Sequence, residues 1–292
     1  MEFFFKPRGV AIIGASASPV KGGHFILKYV MKGFKGGIYS VNPGYAEIEG
    51  LPCYPTVADV PDPVDLAIIF VPGPGVPAIV GMCAERGIPG VMIESAGFAE
   101  AGDSGGGLQE QLIAIGKETG IRIWGPNCMG LVDAVNKQVF SFVLPAIWEG
   151  GLTTGDVSLV VQSGMLSAGF LIDIMSHGTM GISKACSIGN KADVDECDIL
   201  EYLIDDPDTG VIGFYLESIR KGRRFVGLAQ RSTKPIVLLR GGKSRTGARA
   251  AVSHTASLAG NSAIISGALA QVGVVEAHDF KQMMDLCRSV SD

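Results

Sequence analysis

The amino-acid sequence predicts an α/β protein made of a Rossmann-like domain followed by a second parallel-sheet domain. Short apolar runs alternate with helix-like segments along the chain, which is the pattern of right-handed β-α-β units. A length of 292 residues favours two domains of about 150 residues each. The predicted boundary is a loop through Pro145 and Gly150–Gly151, which gives domains 1–148 and 149–292.

Composition excludes several classes of function. A formal net charge of −5 argues against general binding to nucleic acid or to anionic membranes. The six cysteines are scattered without a C-x-x-C pair, so no metal site is expected. No apolar run approaches the roughly 20 residues that a membrane helix needs, and the N-terminus lacks the features of a signal peptide. We therefore expect a cytoplasmic protein without a membrane partner.

The first half contains five predicted strands with helices between them. The strands are Gly9–Gly14, Gly37–Val41, Val64–Val71, Gly90–Glu94 and Ile121–Trp124, and the helices are His24–Met31, one that ends near Arg86 and one through Gln109 to Glu118. Glycine, proline or serine follows most of these strands. Their ends would line the carboxyl edge of a parallel sheet, which is where such folds bind ligands.

A nicotinamide nucleotide is the first ligand to test against these turns, and two features disfavour it. No glycine follows Gly14 at the G-x-G-x-x-G spacing, and 41–43 (Val-Asn-Pro) replaces the acidic residue that would bind a ribose. A phosphate-bearing ligand in another pose stays open because Ser16, Ser18 and Lys21 flank a predicted helix N-terminus. Ordinary β-α turns, which need the same residue types, also stay open.

The second half repeats the alternation of strand and helix. Its predicted strands are Asp156–Val161, Ile182–Ile188, Val211–Leu216 and Ile236–Leu239, and its predicted helices include Met165–Met175 and Asp198–Ile204. Ser163 and Gly164 stand at a helix start, where free backbone N–H groups favour an anion. Ser163 could equally be a plain N-cap.

Two residues with chemistry follow strands of this second sheet. Glu217 comes directly after one predicted strand, and His254 lies in a loop of small, hydroxylated and basic residues, 243–260, after another. Both should therefore lie at one edge of the sheet. A carboxylate beside an imidazole fixes its tautomer and stabilises its charged form, although Glu217 could also be a solvated turn residue.

Taken in order, the strand ends carry a resemblance to a known family. The stretches are Ile12–Ser16, Val41–Pro43, Val64–Ala67, Ser95–Glu100, Gly125–Cys128, Gln162–Gly164, Ser187–Asp195, Tyr215–Glu217 and Ser253–Gly260. In these stretches the chain resembles the α subunit of NDP-forming acyl-CoA synthetases (acetate–CoA ligase, ADP-forming), which is related to succinyl-CoA synthetase.

The resemblance implies a CoA-binding Rossmann-like domain and a flavodoxin-like ligase domain. Coenzyme A would be a substrate held by Gly14, Ala15, Ser16, Ser18, Lys21, Val41, Asn42, Pro43, Val71, Pro72, Ser95, Ala96, Gly97, Phe98, Asn127 and Cys128. Ser163 and Gly164 would bind phosphate. His254 would be transiently phosphorylated, and Glu217 would orient the phosphoimidazole.

The implied activity is that of an acid–thiol ligase. It would interconvert acyl-CoA, phosphate and NDP with carboxylic acid, CoA and NTP through acyl phosphate and phosphohistidine. The family's usual loop has glycine where Ala256 stands, and neither a third α-type domain nor an ATP-grasp domain is found in the sequence. We therefore expect a hetero-oligomer with an ATP-grasp β-type subunit that holds the nucleotide and Mg²⁺. A non-catalytic CoA or acyl-CoA sensor and, less favoured, an NAD(P)-dependent oxidoreductase are the alternatives.

Overall fold

A computed structural model describes residues 1–142, 153–177, 180–242 and 262–291. The first part contains α1 (Glu2–Phe5), β1 (Gly9–Ile13), α2 (Gly22–Gly33), β2 (Gly37–Val41), β3 (Glu47–Ile48), β4 (Leu51–Tyr54), β5 (Leu66–Ile69), α3 (Val76–Glu85), β6 (Gly90–Ile93), α4 (Asp103–Thr119) and β7 (Arg122–Trp124). The second part contains β8 (Gly130–Asp133), β9 (Gln138–Phe140), β10 (Thr154–Val161), α5 (Gly164–His177), β11 (Ile182–Ser187), α6 (Glu196–Asp205), β12 (Val211–Leu216), α7 (Gly222–Arg231), β13 (Ile236–Arg240), α8 (Ser262–Gln271), β14 (Val275–Ala277) and α9 (Phe280–Ser289).

The first sheet has the strand order β3-β4-β2-β1-β5-β6-β7. Its pairs are parallel except for the short antiparallel edge pair of β3 and β4. Every residue of β1, β5 and β6 is buried, as expected for a parallel sheet that is covered on both faces. The strand order reverses between β1 and β5, and ligands of such folds bind at this switch point.

The second sheet has the strand order β14-β13-β12-β10-β11-β8-β9. Its parallel part, β11-β10-β12-β13-β14, follows the flavodoxin-like order, which places the switch point between β10 and β12. Strands β8 and β9 extend the sheet in antiparallel fashion. Both lie before residue 149, where the sequence predicts the domain boundary, and the sheets themselves part between Trp124 and Gly130.

Polar and aromatic contacts hold the two sheets in a fixed relation. The Trp124 indole Nε1 donates to the Ser187 carbonyl at 2.7 Å, and the Arg122 guanidinium pairs with Asp193 at 2.7 Å. The Phe5 ring stacks on Tyr202 with a centroid distance of 3.7 Å. The carboxyl ends of β7 and β11 are therefore held next to each other.

The predicted fold class is confirmed, since two mostly parallel sheets alternate with helices. The predicted strands agree with those found to within two residues at each end. The elements that the sequence did not predict are short: α1, β3, β4, β8, β9 and β14. Strands of two to four residues are too short for a hydrophobic period to identify. Among the described residues, no helix has the length and hydropathy to span a membrane.

Candidate functional site

A large cavity, here called the main cavity, lies where the carboxyl edges of the two sheets meet. Its volume is about 1020 Å³, at the upper end of the range that ligand sites occupy. Its walls come from the turns after six strands: 70–72, 94–96, 127–129, 162–166, 189–190 and Glu217, with Glu100 and Phe142 beside them. Both halves of the chain therefore contribute to one site.

Many of the predicted site residues line the main cavity: Val71, Pro72, Ser95, Ala96, Asn127, Cys128, Ser163, Gly164 and Glu217. These residues are spread over positions 71–217 of the sequence and belong to both predicted domains. The cavity thus joins the predicted CoA-binding turns to the predicted phosphate site. His254 and its loop lie outside the described residues.

A second, small cavity of about 290 Å³ continues the site into the first sheet. Gly14, Val41, Asn42 and Pro43 line it, and Val71 lines both cavities. The Asn42 side-chain amide donates to the Ala15 carbonyl at 2.7 Å, and the Gly14 N–H donates to the Val41 carbonyl at 3.0 Å. The turns after β1 and β2 are therefore tied together around this cavity.

The other predicted CoA residues line neither cavity: Ala15, Ser16, Ser18, Lys21, Gly97 and Phe98. The buried Ser16 hydroxyl accepts from the Ser18 N–H at 3.1 Å, and the exposed Lys21 directly precedes α2. The N–H groups of Gly97 and Phe98 donate to Glu100 at 2.7 and 3.1 Å. Hydrogen bonds within the protein thus occupy the N–H groups of Gly97 and Phe98.

The second-half wall of the main cavity is the start of α5 and the turn after β12. The Ser163 hydroxyl accepts from the Leu166 N–H at 3.4 Å, so it caps a helix that begins at Gly164. The first N–H groups of such a helix lack intrahelical partners and attract anions. The Gln162 side-chain oxygen accepts from the N–H groups of Glu217 and Ser218 at 2.9 and 3.2 Å, which holds Glu217 beside the helix start.

A buried ion pair supports the same turn from behind. The Lys191 ammonium lies 2.8 Å from the Glu196 carboxylate, and neither side chain is exposed. The ammonium also donates to the Ser218 carbonyl at 2.7 Å, while Glu196 accepts from the Arg220 N–H at 2.9 Å. Burial lowers the pKa of Lys191 against the opposing attraction of Glu196. This pair fixes the backbone that follows Glu217.

The first-half wall carries a buried carboxyl group that the sequence did not indicate. One Glu94 oxygen accepts from the Phe142 N–H at 3.1 Å, and the other has no hydrogen-bond partner among the described residues. Burial raises the pKa of Glu94 well above its ordinary value, which favours the neutral form of the carboxyl group. Burial also raises the pKa of the neighbouring Cys128 thiol. Cys128 is therefore an unreactive thiol and not a poised nucleophile.

Glu100 and Asn190 join the two halves at the rim of the main cavity. The Asn190 amide donates to Glu100 at 2.6 Å and to the Gln109 side chain at 2.9 Å. Burial acts to raise the pKa of Glu100, but hydrogen bonds from the Asn190 amide and from the N–H groups of Gly97 and Phe98 lower this pKa overall. The Glu100 carboxylate is thus an ionised acceptor that connects the turn after β6 to the turn after β11.

Several cavity residues were missing from the predicted set: Phe70, Glu94, Glu100, Met129, Phe142, Gln162, Gly189 and Asn190. Gln162 and Asn190 could have been found, because each follows a predicted strand of the second sheet. Phe142 could not, because β9 was not predicted. Among the described residues, no group of three or more His, Cys, Asp and Glu side chains is arranged to hold a metal ion.

Two family models match the chain. One, described as a CoA binding domain, matches residues 8–134. The other, described as a succinyl-CoA ligase like flavodoxin domain, matches residues 154–290. The first range covers the first sheet and β8, and the second covers the parallel strands β10 to β14 of the second sheet.

Similar proteins cover nearly the whole chain. The α subunit of acetate–CoA ligase [ADP-forming] II from Pyrococcus furiosus is 39% identical over 99% of the chain, which spans 62% of that subunit. Acetate–CoA ligase [ADP-forming] II from Archaeoglobus fulgidus is 37% identical over 98% of the chain, which spans 42% of that protein. The chain therefore matches less than two thirds of either relative.

A solved structure is also similar to nearly the whole chain. The dinucleotide-forming acetyl-coenzyme A synthetase 1 of Ca. Korarchaeum cryptofilum, in complex with phosphate and ADP, superimposes with a TM-score of 0.93 at 37% identity. The superposition covers 99% of this chain and 62% of that one. These matches confirm the family resemblance that the strand-end motifs carry.

Proposed function

Because the chain is homologous to the α subunits of ADP-forming acetate–CoA ligases and combines a CoA-binding domain with a succinyl-CoA-ligase-like flavodoxin domain, we propose that it is the α-type part of an NDP-forming acyl-CoA synthetase. It exchanges acyl groups between coenzyme A and phosphate. It then relays the phosphoryl group towards a nucleoside diphosphate.

One observation carries this proposal. Three of the turns assigned to coenzyme A, at 71–72, 95–96 and 127–128, line the same cavity of about 1020 Å³ as the helix start assigned to phosphate. Asn127 and Cys128 come from the first half, whereas Ser163, Gly164 and Glu217 come from the second. A thioester and a phosphate can react only within contact distance, and a cavity shared by both halves supports that arrangement.

The shape of the two cavities suits an elongated ligand such as coenzyme A. The small cavity at Gly14 and Asn42 adjoins the main cavity at Val71. One part of the ligand would lie along the switch point of the first sheet, while its thiol end enters the main cavity. The start of α2, with Ser18 and Lys21 beside it, offers N–H groups and an ammonium to the ligand's phosphates.

The chemistry follows from the second-half wall. A phosphate oxygen, held at the start of α5, attacks the thioester carbonyl carbon, and the thiolate of coenzyme A leaves with the electron pair of the C–S bond. The proton lost by phosphate ends on the thiol, and the product is an acyl phosphate. Positioning and anion stabilisation are the main demands of this step and of the phosphoryl transfer that follows.

His254 is the proposed acceptor of the phosphoryl group. Its neutral imidazole attacks the phosphorus of the acyl phosphate, and the carboxylic acid leaves as its carboxylate. Glu217, held by Gln162 at the switch point, accepts a hydrogen bond from the phosphoimidazole ring. An ATP-grasp partner would bring the nucleoside diphosphate and Mg²⁺ to complete the relay.

The test needs only this chain, an acyl-CoA and radiolabelled inorganic phosphate. A panel of acetyl-, butyryl- and benzoyl-CoA covers small, aliphatic and aromatic acyl groups. We expect an acyl-CoA-dependent label on the protein that is acid-labile and base-stable, as a phosphohistidine is. The label should be absent from His254→Ala and normal in His278→Ala, which removes an exposed histidine. A label that persists in His254→Ala would disprove the acceptor role.

A further inference from the structure

Gln162 occupies the most constrained position in the main cavity. It follows β10, the central parallel strand of the second sheet, and stands at the switch point with β12. Its backbone N–H donates to the Tyr215 carbonyl at 3.0 Å, which continues the ladder between the two strands. The residue is only 6% exposed, yet it lines the cavity.

The orientation of its side-chain amide is determined by its neighbours. The oxygen accepts from two backbone N–H groups, those of Glu217 and Ser218, at 2.9 and 3.2 Å. In the opposite orientation the NH₂ group would face two backbone N–H donors, and no hydrogen bond could form because there would be no acceptor. The NH₂ group therefore points away from the Glu217 turn.

No described residue accepts a hydrogen bond from this NH₂ group. Although the residue as a whole is nearly buried, this NH₂ group is not among the fully buried atoms that lack a partner, so it stays accessible to water or a ligand, which such groups usually meet in native proteins. The cavity is the side of Gln162 that the turn leaves open. Ser163 and Gly164, the proposed phosphate site, follow it directly in the chain and line the same wall.

We propose that the Gln162 NH₂ group donates a hydrogen bond to a phosphoryl oxygen bound at the start of α5, which makes Gln162 a further substrate-binding residue. The inference rests on the proposed function for the identity of the ligand, phosphate or acyl phosphate. Gln162 then has two contacts with different purposes: its oxygen positions Glu217 and its nitrogen binds the phosphoryl group. One side chain thereby sets the distance between the phosphoryl group and Glu217.

The substitution Gln162→Glu separates these two contacts. A carboxylate can still accept from the N–H groups of Glu217 and Ser218, so the turn keeps its support. Its second oxygen, however, replaces a donor with a negatively charged acceptor that faces the anion. We expect the KM for phosphate in the labelling reaction to rise about 10-fold or more, with the KM for acyl-CoA unchanged.

A readout that does not need activity is the thermal stabilisation of the protein by inorganic phosphate. Phosphate should raise the melting temperature of the wild type but not that of Gln162→Glu. Gln282→Glu is the matched control, because Gln282 also accepts a backbone N–H, that of His278 at 2.7 Å, and lies outside both cavities. It should behave as the wild type does.

The outcomes are distinguishable. If Gln162→Glu keeps the phosphate-induced stabilisation and the wild-type KM for phosphate, or if phosphate fails to stabilise the wild type, the inference is wrong. If phosphate stabilises the wild type but not Gln162→Glu, while no acyl-CoA labels the wild type, Gln162 binds the anion and the proposed function fails instead.

Discussion

The two sheets of this chain each have a switch point at the carboxyl edge, and the residues found there differ in kind. In the first sheet the turns after β1 and β2 line the small cavity with glycine, proline, asparagine and apolar side chains, and none of its described lining residues is charged. In the second sheet Gln162 and Glu217 follow β10 and β12 and line the main cavity. In the proposed function, the first switch point binds part of coenzyme A through uncharged groups, and the second holds the phosphoryl group beside a carboxylate.

This difference fits the division of work between the two sheets in the proposed reaction. Gly14 has a positive φ of +92°, and the absence of a side chain lets the turn after β1 pack directly against the Phe70 carbonyl, which lies 2.2 Å from where a Cβ would stand. A carboxylate beside a helix N-terminus instead favours chemistry on an anion and its acceptor. Substitutions at the two switch points should therefore have different consequences.

The largest effect should come from Glu217→Gln in the second switch point. Loss of the carboxylate should lower the rate of phosphohistidine formation about 10²- to 10³-fold while the Kd for coenzyme A stays within about twofold of the wild type. Labelling kinetics and calorimetric titration measure the two quantities. The exposed Glu110→Gln provides the control. Equal losses of rate and of CoA affinity would abolish the distinction between the two switch points.

Gly14→Ala tests the first switch point. An added Cβ would lie 2.2 Å from the Phe70 carbonyl oxygen, so the turn must shift. We expect the affinity for CoA to fall about 10-fold or more and the free energy of unfolding to fall by about 2–4 kcal/mol. Gly87→Ala is the matched control, because Gly87 also has a positive φ of +78° but its Cβ would meet nothing within 4 Å. Gly87→Ala should lower the free energy of unfolding by about 1–2 kcal/mol and leave the affinity for CoA unchanged. Denaturant unfolding and titration with CoA measure the two quantities. If the two variants lost stability and CoA affinity to the same extent, the close contact between Gly14 and the Phe70 carbonyl would not matter for CoA binding.

Glu94→Gln should give a smaller, pH-dependent effect on stability. Burial raises the pKa of Glu94 in the folded protein above the ordinary value of 4.5, so folding takes up a proton, and the wild type loses stability as pH rises between the unfolded and folded pKa values. Glutamine mimics the neutral acid and avoids this loss. The advantage of Glu94→Gln in free energy of unfolding should grow by up to about 1.4 kcal/mol per pH unit above pH 4.5.

Urea unfolding at a series of pH values measures this advantage. The exposed Glu118→Gln should show a constant difference from the wild type. A constant difference for Glu94→Gln as well would mean that Glu94 is ionised in the folded protein. The main cavity would then carry a charge on both walls, and the contrast between an uncharged first half and a charged second half would be weaker.

The sequence predicted the fold well because its strands are apolar runs with small residues at their ends. It also predicted about half of the residues that line the main cavity, since Asn127, Ser163 and Glu217 each follow a predicted strand. It could not predict Glu94 as a buried neutral acid, because burial depends on Phe142 and on a strand, β9, that is too short to recognise. Nor could it predict that Gln162 supports the Glu217 turn, since that contact spans 55 positions.

Hydrogen–deuterium exchange with coenzyme A and phosphate added separately tests the central claim, that the two switch points bind different parts of one reaction at one shared site. Coenzyme A should protect the backbone at 14–18, 70–72 and 127–128, and phosphate should protect 163–166. Together they should protect both sets at least as strongly as each does alone. Protection of 163–166 by phosphate that coenzyme A abolishes, or no protection of 70–72 and 127–128 by coenzyme A, would contradict the account.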